Sequence, residues 1–231
     1  MQAFLAFPFY LASNAQAYLA FAQANPDLDA ESVVWMVNAG VHHGPLNNVV
    51  TDYDEHPFLI NQNHRLPANF EPPYLENVYG IHRATPETAA AFRRMRTSIN
   101  RAGMDIAVVS AFRTAEQQRI NFNNDPDSGR VAPPYMSEHQ TGRAIGFWGT
   151  GTGWLAYDHA SAVWMRDNAH RYGFVWRYPT NQQHITGIPA APWQFTYVTV
   201  EIATHMHDNN IATLEEFVGR NPGARLFEFG R

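Results

Sequence analysis

Residues 85–118 read as a helix, a buried strand and a second helix with few residues to spare, and this run constrains everything packed around it. Thr85-Pro86-Glu87 marks a helix start with Pro at the first helical position. Phe92, Met95, Ile99 and Ala102 follow as one apolar stripe, which Gly103 ends. Residues 106–109 are a short apolar run fit for a buried strand, and Thr114-Ala115-Glu116-Gln117 has the spacing of a capping box opening the next helix. Arg113 is thereby placed at a strand-to-helix corner.

The flanking pattern is of the same kind. Asn14 is expected to cap a helix through about residue 24, and Asp29 a second one through residue 39, with Val33, Val34 and Val37 on one face and Gly40 in the left-handed turn. Residues 41–79 are rich in Pro, Asn and Asp and hold one strand candidate, Phe58-Leu59-Ile60, so they read as an ordered wrap over the core. Further strands are expected at 144–147, 174–177 and 193–198, with a helix over about 162–172 stopped by Gly173. The fold class that follows is α+β, a small antiparallel sheet with helices packed on it. A chain of 231 residues, 45% hydrophobic and without internal repeats, is expected to form a single domain over 1–231, with a helical pair and wrap at 1–80 and the core at 81–231.

Composition removes several function classes. A net charge of -5 with no run of like charges leaves no electrostatic footprint for nucleic acid or for an anionic membrane surface. All 16 basic residues are Arg, which excludes Lys Schiff-base chemistry, and the absence of Cys excludes disulfides and thiolate sites. No run is long enough for a membrane span. Residues 3–12 are apolar and Ala15-Gln16-Ala17 resembles a signal-peptidase site, but the positive flank is missing and the segment from Asn14 also reads as a helix. The compartment is left open.

Five motifs carry chemistry: Ser110-Ala111-Phe112-Arg113-Thr114 with Gln118; Ser137-Glu138-His139-Gln140-Thr141-Gly142; Arg171-Tyr172-Gly173-Phe174-Val175-Trp176-Arg177-Tyr178-Pro179; Ala191-Pro192-Trp193-Gln194-Phe195-Thr196-Tyr197-Val198; and Thr213-Leu214-Glu215-Glu216. In this order they resemble the D-alanyl-D-alanine carboxypeptidases of the lysostaphin, D-Ala-D-Ala peptidase and hedgehog superfamily. That resemblance also matches the N-terminal helical pair and a turn at Leu66-Pro67. It implies a zinc site whose first ligand is His139. The second ligand of the family, an Asp in Ser-x-His-x-x-Gly-x-Ala-x-Asp, falls on Gly146. The family's Glu-Pro-Trp-His reads Ala191-Pro192-Trp193-Gln194, so the third ligand falls on Gln194 and the catalytic Glu on Ala191; Thr196 stands for a family Arg.

Catalytic zinc needs three protein ligands and an open position for water, and one imidazole does not supply them. Gly146 has no donor, Gln194 offers a poor neutral one, and Ala191 takes no proton. The expectation is therefore no metal, no cofactor and no intact catalytic residue at Gly146, Ala191 or Gln194. Losing Zn²⁺ together with an Asp and a Glu leaves the local charge nearly unchanged, since about +2 and about -2 vanish together.

The resemblance further implies a substrate pocket formed by Arg113, Gln118, Ser137 and Tyr178, with His139 as a wall and Trp193 at the border. A guanidinium holds a carboxylate bidentately, so the expected partner is a peptide or peptidoglycan stem with a free carboxylate. An extracytoplasmic or cell-wall setting is suggested by the resemblance only. Other readings stay open: repurposed catalysis with His139 as general base, or an inactivated carboxypeptidase scaffold. Arg113 also reads as the partner of a structural carboxylate, Ser137 as a turn residue and Tyr178 as a core-edge aromatic. His205 and His207 lie two apart in an expected helix and face different ways; His42, His43, His159, His170 and His184 lack ligand spacing. Trp35, Trp164 and Trp176 sit in apolar patterns and read as core.

Overall fold

Local capping chemistry sets the ends of most helices in the computed structural model, which describes residues 2–41, 48–49, 59–149 and 153–222. Helices α1 (Ala15–Ala24) and α2 (Ala30–Asn38) form the N-terminal pair. The Asp29 carboxylate caps α2 by accepting from the Ser32 amide at 2.7 Å. Asn14 does not cap α1. Its amide donates instead to Asn38 Oδ1 at 3.1 Å, an oxygen that also accepts the Tyr18 hydroxyl at 2.6 Å. A long-range partner outcompetes the local one.

The wrap contains a two-residue parallel pair, β1 (Asn48–Val49) and β2 (His64–Arg65), and a hairpin of β3 (Glu76–Tyr79) and β4 (His82–Ala84) turning at Gly80. The strand expected at 58–60 is absent from the described residues: Leu59 and Ile60 are buried without strand pairing, and Phe58 lies outside the described residues, as do His42 and His43. The hairpin leaves no alternating signal in the sequence because its strands are short, mostly polar and bulged.

Thr85 caps α3 (Pro86–Arg101), and Phe92, Met95 and Ile99 are buried as expected. Ala102 is exposed as the C-terminal cap; Thr88, Ala89 and Ala91 complete the buried face in its place. The chain continues through β5 (Ile106–Ser110) to α4 (Ala115–Asn124), which is opened by the reciprocal Thr114 and Gln117 hydrogen bonds of a capping box. Then follow β6 (Ala144–Gly149), β7 (Gly153–Trp154), α5 (Ala160–Asn168), β8 (Phe174–Tyr178), α6 (Gln183–Thr186), β9 (Ala191–Tyr197), α7 (Val200–Asp208) and α8 (Leu214–Arg220). The helix expected over 162–172 is α5 plus a 3-10 turn, Ala169–Tyr172, closed by Gly173 at φ 86°.

The main sheet is antiparallel in the order β5-β6-β9-β8, with β7 on β6. Successive residues of β8 serve different cores, as the two-residue period of a strand requires. Phe174 joins the α3 and α5 side chains together with Phe147 and Phe195, while Val175 joins Ile202, Met206 and Phe217 of α7 and α8. Trp35 is core, and Trp164 and Trp176 are partly buried against the core of the main sheet.

A charged cluster sits inside this apolar frame. Arg177 is fully buried and donates to Glu138 through Nε and to both oxygens of Glu215, at 2.9 and 2.7 Å. Asn61 donates to Glu215 at 3.0 Å, and the Thr196 hydroxyl donates to Glu138. These contacts tie β8, β9, α8 and the wrap to the segment that carries His139.

Helices α2 and α8 cross at backbone contact: a Cβ on Gly219 would lie 2.1 Å from the Trp35 carbonyl oxygen. Gly219→Ala is expected to destabilise the protein by about 3 kcal/mol, because backbone rather than a flexible side chain must move. Chemical denaturation measures it, and an unchanged midpoint would contradict the crossing.

Candidate functional site

The site grows from the corner after β5. Two backbone bonds fix it, from the Phe112 amide to the Arg83 carbonyl at 2.8 Å and from the Arg113 amide to the His139 carbonyl at 3.0 Å. The first turn of α4 then delivers Gln118 to the Arg113 side chain. Arg113 Nη1 donates to Gln118 Oε1 at 3.3 Å, and Gln118 Nε2 donates to the Ala132 carbonyl at 2.7 Å. Among the described residues no carboxylate pairs with Arg113, so its reading as partner of a structural acid is not what the fold contains. Burial pushes its guanidinium down from the ordinary value, a sign that the charge sits poorly solvated.

The opposite wall is a 3-10 turn, Glu138–Thr141, whose cap Ser137 accepts from the His139 amide at 3.4 Å. Ser137 is thus a turn residue and a cavity residue at once. His139 is buried, with Nδ1 2.7 Å from the Ala111 carbonyl oxygen. A carbonyl only accepts, so Nδ1 carries the proton and Nε2 presents its lone pair. Nε2 lies 3.4 Å from Ser110 Oγ, and the Gln194 side chain also hydrogen-bonds the ring. Burial first, and then the nearby Arg113 charge, hold the imidazole well below its usual pKa, against the opposing pull of hydrogen bonds with Ala111, Gln194 and Ala144. It is neutral at pH 7.

Gly146 and Gln194 are direct partners across β6 and β9, and Gly146 faces Ser110 across β5 and β6. A Cβ on Gly146 would lie 2.8 Å from Ser110 Oγ, so the serine hydroxyl fills the space a side chain there would use. Positions 139 and 146 thus flank the Ser110 hydroxyl, and Gln194, from much later in the chain, joins them by pairing with Gly146 and hydrogen-bonding the His139 ring. Ala191 is buried three residues before Gln194, opposite Tyr178, and its carbonyl accepts the Trp176 indole N–H at 2.9 Å. It lies off the cavity wall. Ser110 belongs to one of the five motifs, yet no role is assigned to it from sequence; its position as the last residue of β5, facing β6, is the signal that marks it.

A cavity of about 310 Å³ brings together Arg113, Gln118, Ser137, His139, Tyr178 and Trp193, with Gln194 beside them. Tyr178 is buried, and burial pushes its phenol up, so it remains a neutral hydrogen-bonding group. Among the described residues no group of three His, Asp or Glu side chains is placed to hold a metal ion. Elsewhere the His170 and His207 rings stack with centroids 3.7 Å apart, His205 packs edge-on against Phe217, and His159 caps α5. No helix among the described residues is long and apolar enough to cross a membrane.

Comparison with known proteins agrees with this architecture. The VanY family model, described as D-alanyl-D-alanine carboxypeptidase, matches residues 81–200. The putative carboxypeptidase YodJ of Bacillus subtilis strain 168 is 32% identical over 179 residues, 69% of this chain and 65% of YodJ, so the chain spans just under two thirds of that relative's length. The structure of the LdcB LD-carboxypeptidase superposes with a TM-score of 0.64 at 31% identity, covering 70% of this chain and 85% of LdcB. The vancomycin resistance D,D-pentapeptidase VanY, solved as a point mutant in complex with Zn(II), gives 0.63 at 25% identity, covering 70% and 97%. With a matched region that contains β5, β6, β8 and β9 and the residues meeting at His139, the chain belongs to the VanY D-alanyl-D-alanine carboxypeptidase family.

Proposed function

We propose that this chain is a metal-free, catalytically impaired family member that binds the C-terminal carboxylate of a peptide, of the kind a peptidoglycan stem carries, without hydrolysing it. The observation that carries this reading is Arg113, a partly buried guanidinium with no carboxylate partner among the described residues, lining a cavity with neutral hydrogen-bonding groups around it. A charge withdrawn from water without a counter-ion favours an incoming anion, and a carboxylate matches the guanidinium fork. Gln118, Ser137 and Tyr178 supply neutral contacts that orient a peptide end.

The zinc of relatives such as the solved VanY does not fit the donor set here. Around the His139 ring the neighbours are the Ser110 hydroxyl, at Nε2, and the Gln194 amide, while Gly146 contributes no side chain. Hydroxyl and amide oxygens are weak partners for zinc beside imidazole, thiolate or carboxylate. Ala191 has no proton acceptor for water activation. A second reading makes His139 a general base toward Ser110, at 3.4 Å. It ranks below the first because burial and Arg113 both oppose the imidazolium that a base must become.

Calorimetric titration with acetyl-D-Ala-D-Ala and its C-terminal amide tests the reading. The free acid is expected to bind about 30-fold more tightly than the amide, and Arg113→Gln to erase that difference, as the loss of a charge-assisted pair predicts. Chromatography of the mixture is expected to show intact peptide. Equal binding of acid and amide, or released D-Ala, would overturn the proposal.

A further inference from the structure

We infer that the same cavity reads a second anionic group, so that its preferred ligands are peptides with a side-chain carboxylate next to the C-terminal residue. This rests on the carboxylate reading of Arg113 and deepens it. The chain carries 21 acids against 16 Arg, yet the wall of this cavity holds two guanidiniums, Arg113 and Arg130, and no Asp or Glu among the described residues. His139, the remaining titratable base on that wall, is held neutral by burial and by Arg113. The cavity therefore presents two positive charges, and one terminal carboxylate answers only one of them.

Arg130 lies in the segment between α4 and the Ser137 turn. Its backbone is set by a bond from its amide to Ser128 Oγ at 3.0 Å, following Gly129 at φ 67°. Among the described residues its guanidinium has no hydrogen bond or ion pair, and the residue is exposed, so it reaches a ligand without first giving up a protein partner. Asn121 and Asn124, on the last turns of α4, add amide donors to the same wall. A cavity of about 310 Å³ is at the small end of ligand sites and suits a short peptide end, so the second carboxylate is assigned to the residue adjoining the chain end. Such a rim charge sets selectivity between ligands of equal shape more than it sets total affinity.

The test uses two isosteric probes, acetyl-Glu-D-Ala and acetyl-Gln-D-Ala, titrated into the full chain at low and high salt. The acidic peptide is expected to bind about fivefold more tightly at low salt, a preference that fades as salt screens a partly exposed pair. Arg130→Gln is expected to remove the preference and Arg130→Lys to keep part of it, whereas Arg113→Gln weakens both peptides alike. Arg130 is exposed, so its variants should fold as the parent does. Equal affinities in the parent chain, or a preference that survives Arg130→Gln, would overturn the inference while leaving the carboxylate reading intact. Failure of both peptides to bind would sink the two together.

Discussion

The double variant Gly146→Asp with Gln194→His is expected to take up one zinc ion per chain, with an affinity at least roughly a thousand-fold above that of the parent. The two positions are cross-strand partners, and the Gln194 side chain already touches the His139 ring, so the new ligands would converge with an imidazole whose tautomer is fixed by the Ala111 carbonyl. Fixing one ring nitrogen in this way orients the other for coordination. One obstacle is local: the Ser110 hydroxyl, 2.8 Å from a Cβ at position 146, must rotate away and give up its contact with His139. That adjustment is small because the atom ends a short rotatable side chain. Adding Ala191→Glu then supplies a proton acceptor, and release of D-Ala from acetyl-D-Ala-D-Ala reports whether the variant hydrolyses the peptide. Elemental analysis reads the metal and circular dichroism the fold. A folded double variant with no zinc would show that these positions are not the equivalents of the family's ligands.

Replacing Arg177 by Met is expected to lower stability by about 4 kcal/mol at neutral pH, because two buried carboxylates lose their shared cation. The pH dependence has a definite sign. Burial raises the Glu138 pKa, although Arg177 and Thr196 pull it back. Without the guanidinium that upward displacement grows, so the stability of the neutral form is fully present below the unfolded value of about 4.3 and is lost as pH rises through the folded one. The deficit of the variant should therefore shrink as pH falls toward about 4. Urea denaturation at both pH values measures it, and a pH-independent deficit would show that packing rather than charge dominates.

Sequence patterns reveal the elements whose causes are local. The stripe of α3 and the Thr114 capping box depend on residues within a turn or two of each other, and both are legible. The Asn14 cap fails because its partner, Asn38, is 24 positions away and satisfies it better than a helix end would. The hairpin at residues 76–84 escapes a pattern search since its strands are polar and its pairing bulged. The site residues come from the family resemblance, not from spacing. No local rule foretells that Gly146 and Gln194 pair, or that Arg177 collects Glu138 and Glu215 from distant segments. Ser110 carries no role in sequence for the same reason: its position is defined by Gly146 on the strand beside it.

The Ser110 oxygen beside Gly146 makes the addition of metal ligands one at a time awkward. An Asp arriving alone at position 146 meets Ser110 and finds no metal to repay the displacement, while a His arriving alone at position 194 finds only one other imidazole. On the metal-free reading proposed above, neither substitution alone completes a metal site, so two coupled changes separate this arrangement from one that binds zinc.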